Sequence, residues 1–131
     1  MEKTLKEIYG WELISDEETS LIKHINKILM KTPSELDTSD ICVLIRQELF
    51  LDISIPKAIK MIKTDHKTGD NYEYDLLVNL SKISTSLKEY RCEILNLISI
   101  LEKDYKNIVF ELESDKKDYV ESIARLKDKI K

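Results

Sequence analysis

From Ser86 to Lys131 the chain carries neither glycine nor proline, and this limits the possible folds more tightly than any other feature. Leu80, Leu87, Ile94, Leu101 and Ile108 recur every seven residues, and so do Ile98, Tyr105, Leu112, Tyr119 and Leu126. Two interleaved series of this kind form an apolar seam at coiled-coil spacing. Asp115 falls where the first series calls for an apolar residue, so Ser114-Asp115 marks a break. The expectation is one long helix to about Glu113 and a final helix to Lys129. Two closures of the seam stay open. It folds back within one chain as a helical hairpin, or it pairs with a second copy as a homodimer. In the second case residues 87–130 would make the chain a coiled-coil structural or adaptor protein.

The rest of the chain agrees with a helical fold. Only two glycines and two prolines occur in 131 residues, and sheets with many tight turns need more of both. Apolar residues make up 42% and charged residues 35%, enough to bury one core. The fold class expected is all-α: a single-domain bundle over residues 1–131, with about five to seven helices. Its central segment is 33–80 and its long charged helical region 86–131.

Along the chain, residues 4–9 read as a short helix capped by Gly10, and Trp11 as a buried lid. Ser15 with Glu18 is a capping-box pattern for a helix to about Lys31, which Pro33 stops. Thr38 or Ser39 then caps a helix carrying Ile41, Leu44 and Ile45 inward. Asp52 or Ser54 caps the next, with Pro56 in its first turn. Thr64 to Asn71 is a polar loop in which Gly69 supplies a positive φ. Asp75 caps a helix bearing Leu76, Leu77 and Leu80.

No constellation for catalysis stands out. The chain has no phosphate-cradling glycine loop, no Cys-x-x-Cys and no His-Glu-x-x-His, so no catalytic residue, metal or cofactor is expected. His24 has no second ligand within reach and reads as packing or surface. Cys42 and Cys92 both lie in apolar periodic stretches and read as two buried free thiols of a reducing cytosol. The net charge of −4 and pI near 5.3 argue against binding a phosphate backbone. They suit solubility, the more ordinary use of such charges, and equally docking on a basic protein partner. No apolar run is long enough to span a membrane, and a cytoplasmic location is expected.

One cluster is locally unusual. Asp70, Tyr72, Glu73, Tyr74 and Asp75 interleave tyrosines with acids in a loop, the composition of a protein-binding hot spot. Within it, Asp75 and Tyr74 lean toward structural roles, as helix cap and core residue, and Tyr72 and Glu73 toward contact. Glu111, Glu113, Asp115, Asp118 and Glu121, alternating with lysines, form a second candidate acidic patch or an ordinary solvated helix face.

The central segment resembles the immunity proteins of bacterial contact-dependent growth inhibition (CDI) systems. The matching pieces, in order, are Pro33 with Ser34-Glu35-Leu36, Leu44-Ile45-Arg46-Gln47 with Leu51, and Ile55-Pro56-Lys57-Ala58. The last is Gly69-Asp70-Asn71-Tyr72-Glu73-Tyr74-Asp75-Leu76-Leu77. The chain departs from the pattern in two places: many members have Ile-Gly-Gln at 45–47, and Pro-Gly at 73–74. The charged C-terminal region lies outside the resemblance. The resemblance implies a cytoplasmic, non-enzymatic protein that binds and neutralises one cognate CDI toxin C-terminal domain, often a nuclease. An acidic binder suits a basic nuclease, because it competes for the surface that holds substrate phosphates.

Overall fold

The computed structural model describes residues 2–14 and 19–131. The expected capping box at Ser15 and Glu18 lies outside the described residues. Seven α-helices and no strand occur among them, so the protein is all-α.

Helix α1 (Leu5–Tyr9) is held by a Thr4–Glu7 capping box and ends on Gly10 at φ 66°, the left-handed C-cap expected from the sequence. Helix α2 (Ser20–Leu29) is capped by Thr19, whose hydroxyl accepts from the Ile22 N–H. Pro33 does not itself end α2, which stops at Leu29; it opens a short 3-10 turn, Pro33–Glu35. Helix α3 (Thr38–Gln47) is capped by Asp37, not by Thr38 or Ser39, in a box with Asp40. An acid outcompetes a hydroxyl there because two carboxylates can satisfy two orphan N–H groups reciprocally.

Helix α4 (Leu51–Thr64) corrects a second expectation. It starts at Leu51 after Phe50 at φ 49°, so Asp52 and Ser54 lie inside it and Pro56 stands in its interior. The Phe50 ring explains the early start. It stacks on Tyr9 at 4.3 Å and meets Trp11 edge-on at 4.9 Å, an anchor that offsets the left-handed backbone. Trp11 is thereby half-buried on Phe50, less enclosed than a full lid.

Short helix α5 (Asp75–Ser81) packs against α3, α4 and α7, and its Leu76, Leu77 and Leu80 are fully buried. Helix α6 (Arg91–Asp104) and helix α7 (Glu113–Lys129) pack on each other. The first of them ends at Asp104, well before Glu113. A 3-10 turn, Tyr105–Asn107, and a non-helical stretch to Leu112 separate the two. Leu87, Ile94, Leu101, Tyr119 and Leu126 are all fully buried within the one chain. The Tyr119 hydroxyl donates to the Leu101 carbonyl at 2.6 Å. The seam is therefore a hairpin, and its series break where the chain turns: Leu112 is 59% exposed.

Of the cysteines, Cys42 is buried as expected, whereas Cys92 is exposed. Cys92 sits on the solvent side of α6, next to the seam residues and not among them. No helix among the described residues is long and apolar enough to cross a membrane.

Candidate functional site

Residues 65–75 connect α4 to α5, and the chain ties them down with its own backbone. The Tyr74 N–H donates to the Lys67 carbonyl at 3.0 Å and the Leu76 N–H to the Thr68 carbonyl at 3.2 Å. Across this fold Gly69 comes so close that a β-carbon there would lie 2.3 Å from the Tyr72 carbonyl oxygen and 2.7 Å from the Asp75 β-carbon. Glycine is required by that approach. The positive φ expected at Gly69 occurs instead at Tyr74, at 65°.

Asp75 is the clasp of the loop. Its carboxylate is 1% exposed and accepts from the backbone N–H groups of Asp70 and Asn71 at 3.3 and 3.1 Å, and from the Asn79 amide. Tyr74 is the N-cap residue of α5 and Asp75 its first residue, so the aspartate closes the loop where a simple cap had been expected. Tyr74 is buried in an aromatic cluster with Phe110 and Tyr119, both centroids at 5.7 Å. Burial of that ring holds a left-handed backbone that costs about 1–2 kcal/mol outside glycine. Notably, 74 is the position at which the resembling pattern carries glycine.

Two further contacts fix the loop to its neighbours. Arg46 on α3 lies 3.7 Å from Asp70. His66 bridges the Ile62 carbonyl, at 2.6 Å, and Asp104 on α6, at 2.8 Å. With the frame so held, Asp70, Tyr72 and Glu73 face solvent, and Tyr72 is 48% exposed. Partial burial raises the Tyr72 phenol above its ordinary value, and the charges of Asp75 and Asp118 add to this.

The contacts of Tyr74 with Phe110 and with Tyr119 show that the loop runs beside α7 and the stretch before it. The two acidic stretches, some forty residues apart in sequence, thus adjoin in space. Within the second stretch Glu111 and Glu113 are exposed and Asp118 is half-buried. Asp115 is only 8% exposed. Glu121 lies 3.9 Å from Lys117 and 3.6 Å from Arg125, so its charge is matched locally.

The model of the CDI immunity proteins matches residues 7–98. The chain belongs to this family. The match takes in the end of α1, all of α2 to α5 and the first half of α6, and with them the whole tyrosine–acid loop. The rest of α6, the non-helical stretch and α7 lie outside it, including all five acids of the second stretch. No curated protein matches the chain by sequence.

Sequence reasoning missed the exposed apolar pair Val109 and Leu112, 85% and 59% accessible, and the His66–Asp104 tie. The first had a signal: Ile108-Val109-Phe110 is a β-branched and aromatic run inside an otherwise helical pattern. The tie had none, since its partners stand far apart in the chain. A second histidine pair is structural. Asp40, 2% exposed, lies 2.9 Å from His24 Nε2 and accepts from Lys31 Nζ at 2.6 Å. No group of three His, Cys, Asp or Glu residues among those described is placed to hold a metal ion.

Proposed function

We propose that this immunity protein acts in the cytoplasm, without catalysis, by binding one cognate CDI toxin domain, a basic nuclease, and covering its active site or substrate-binding surface. Family membership supports the toxin as partner. The nuclease is argued from charge: an acidic face with an aromatic anchor competes for the basic surface that a nuclease uses for phosphates. The observation that carries the binding face is Tyr72, half-exposed on a loop that the buried Asp75 carboxylate clasps and that packs through Tyr74 against Tyr119 of α7. A rigid aromatic with few torsions to freeze is what an interface anchor needs.

In this reading Asp70, Tyr72 and Glu73, with Glu111, Glu113 and Asp118, meet the toxin. Tyr74, Asp75 and Asp115, being buried, hold the surface in place. The test is co-expression with the toxin domain encoded directly upstream, scored by survival and co-purification. Rescue and a one-to-one complex are expected. Tyr72→Ala and Glu73→Lys should each weaken the complex about 10-fold or more while changing folding stability by less than about 0.5 kcal/mol. Absence of both rescue and complex would sink the reading.

A further inference from the structure

Lys57, Lys60, Lys63 and Lys67 follow one another along the second half of α4 and just past its end, and Asp65 is the one acid between 57 and 67. This basic stretch stands in a chain whose net charge is −4. A lysine in the last turn of a helix complements the helix dipole, which accounts for Lys63. Lys57 and Lys60 stand before that turn and Lys67 beyond the helix, so the dipole leaves three of the four unexplained. The lysines that form ion pairs among the described residues are Lys31, Lys117, Lys127 and Lys131. None of these belongs to the stretch.

Two clefts open on it and meet at Thr64 and Asp65, which line both. One, of about 480 Å³, lies between the end of α4 and the stretch after α6 and takes in Lys63, Lys67, Asn107 and Val109. The other, of about 380 Å³, reaches Thr38 at the start of α3 and takes in Lys57 and Lys60. The acids in their walls already have partners. Asp65 accepts from the Lys67 N–H at 3.1 Å, and Asp104 is held by His66 at 2.8 Å. What the walls still offer is ammonium groups, two of them half-buried, at Lys57 and Lys63. An ammonium partly withdrawn from water gains more from a fixed carboxylate than a fully solvated one does.

We infer that these joined clefts receive an acidic segment of the toxin domain, an inference that rests on the toxin-binding reading above. Their place in the fold favours that occupant. The chain runs from Lys67 straight into the loop of Tyr72, and the Lys67 carbonyl accepts from the Tyr74 N–H. One continuous surface therefore carries ammonium groups at one end and carboxylates at the other. A partner that covers both must present acidic and basic groups at the matching spacing, and a toxin charged the other way round is repelled. That selects one toxin, where an acidic face alone would accept many basic proteins. A nucleic acid is the poorer occupant, because its phosphates would continue past the lysines toward Asp70 and Glu73. A second copy of this chain is poorer too, since each copy brings a net charge of −4.

The experiment is calorimetric titration of the full chain and its variants with the upstream-encoded toxin domain. Lys60→Glu with Lys67→Glu alters two exposed side chains and should weaken binding at least about 10-fold. Lys60→Gln with Lys67→Gln, milder on the helix dipole, should weaken it about 3-fold. Lys23→Glu with Lys27→Glu adds the same negative charge to exposed positions of α2. It should leave binding within about 2-fold of the wild type, or tighten it, because the toxin is read as basic. A Lys60/Lys67 glutamate variant that binds as tightly as the wild type overturns the inference and leaves the toxin-binding reading standing. An equal loss in both glutamate pairs also overturns it, since overall charge would then govern. So does single-stranded RNA bound by the chain alone, or a dimer of the chain, if either is lost in the Lys60/Lys67 variant. No complex with the wild type overturns both readings.

Discussion

At the scale of single residues, Gly69 shows how little slack the candidate site has. A β-carbon at 69 would meet a backbone oxygen and the β-carbon of a buried aspartate, and neither can swing away. Gly69→Ala should destabilise the fold by about 1–3 kcal/mol, the usual cost of overpacking. It would be seen as a lower urea midpoint with an unchanged slope. The cysteines make a sharper contrast. Burial, with the charges of Asp75 and Asp70 adding to it, pushes the Cys42 thiol up to about 12, so it stays protonated and enclosed. Cys92 is exposed. A thiol reagent at neutral pH should label one cysteine quickly in the native protein, and the second only on unfolding. Replacing Cys92 with Ser should abolish the fast phase; a fast phase that survives that change would contradict this placement.

At the scale of elements, the helices owe their bounds to side chains that pack from elsewhere. Helix α4 starts early because Phe50 is pinned by Tyr9 and Trp11, and so Pro56 falls in its interior. There it can give no N–H to the Asp52 carbonyl one turn back. Its ring is exposed, so little packing would be lost with it. Pro56→Ala should stabilise the protein, by up to about 3 kcal/mol if the missing bond forms without strain. Thermal melting would show a rise; a fall would mean that the proline's fixed φ stabilises α4 more than the missing hydrogen bond would. The α6–α7 hairpin obeys the same rule. The heptad series fits an antiparallel pair as well as one continuous helix, and the Tyr119–Leu101 bond is the kind of contact that chooses between them.

At the scale of the whole molecule, one buried carboxylate joins α3 to α2 and to the segment that follows it, and makes stability depend on pH. Burial alone would raise Asp40, but hydrogen bonds from Lys31, the Asp37 N–H and His24 outweigh it and hold the group below its ordinary 3.8. A carboxylate lowered in the folded state contributes stability above its unfolded pKa. The contribution is lost as pH falls through the folded value. The stability gap between the wild type and Asp40→Asn should therefore be widest near neutrality and narrow below about pH 4, measured by denaturation at a series of pH values. An unchanged gap down to pH 2 would show that Lys31 and His24 do not depend on that charge.

The sequence by itself determined the all-α class, the Gly10 cap, the apolar faces of α3 and α5, and the family, through the ordered pieces between Pro33 and Leu77. These depend on neighbours a few residues apart, and local periodicity and capping chemistry record such neighbours directly. Only the tertiary structure decided where α4 and α6 begin and end, that Cys92 faces solvent, and that Tyr74 rather than Gly69 takes the left-handed turn. It alone set the loop's Tyr74 against Phe110 and Tyr119. Each of these is fixed by groups far apart in the chain, such as Tyr9 with Phe50, Asp104 with His66, and Tyr74 with Phe110. Packing energy between such groups exceeds the small propensities that a linear pattern expresses, so those choices were made by the fold as a whole.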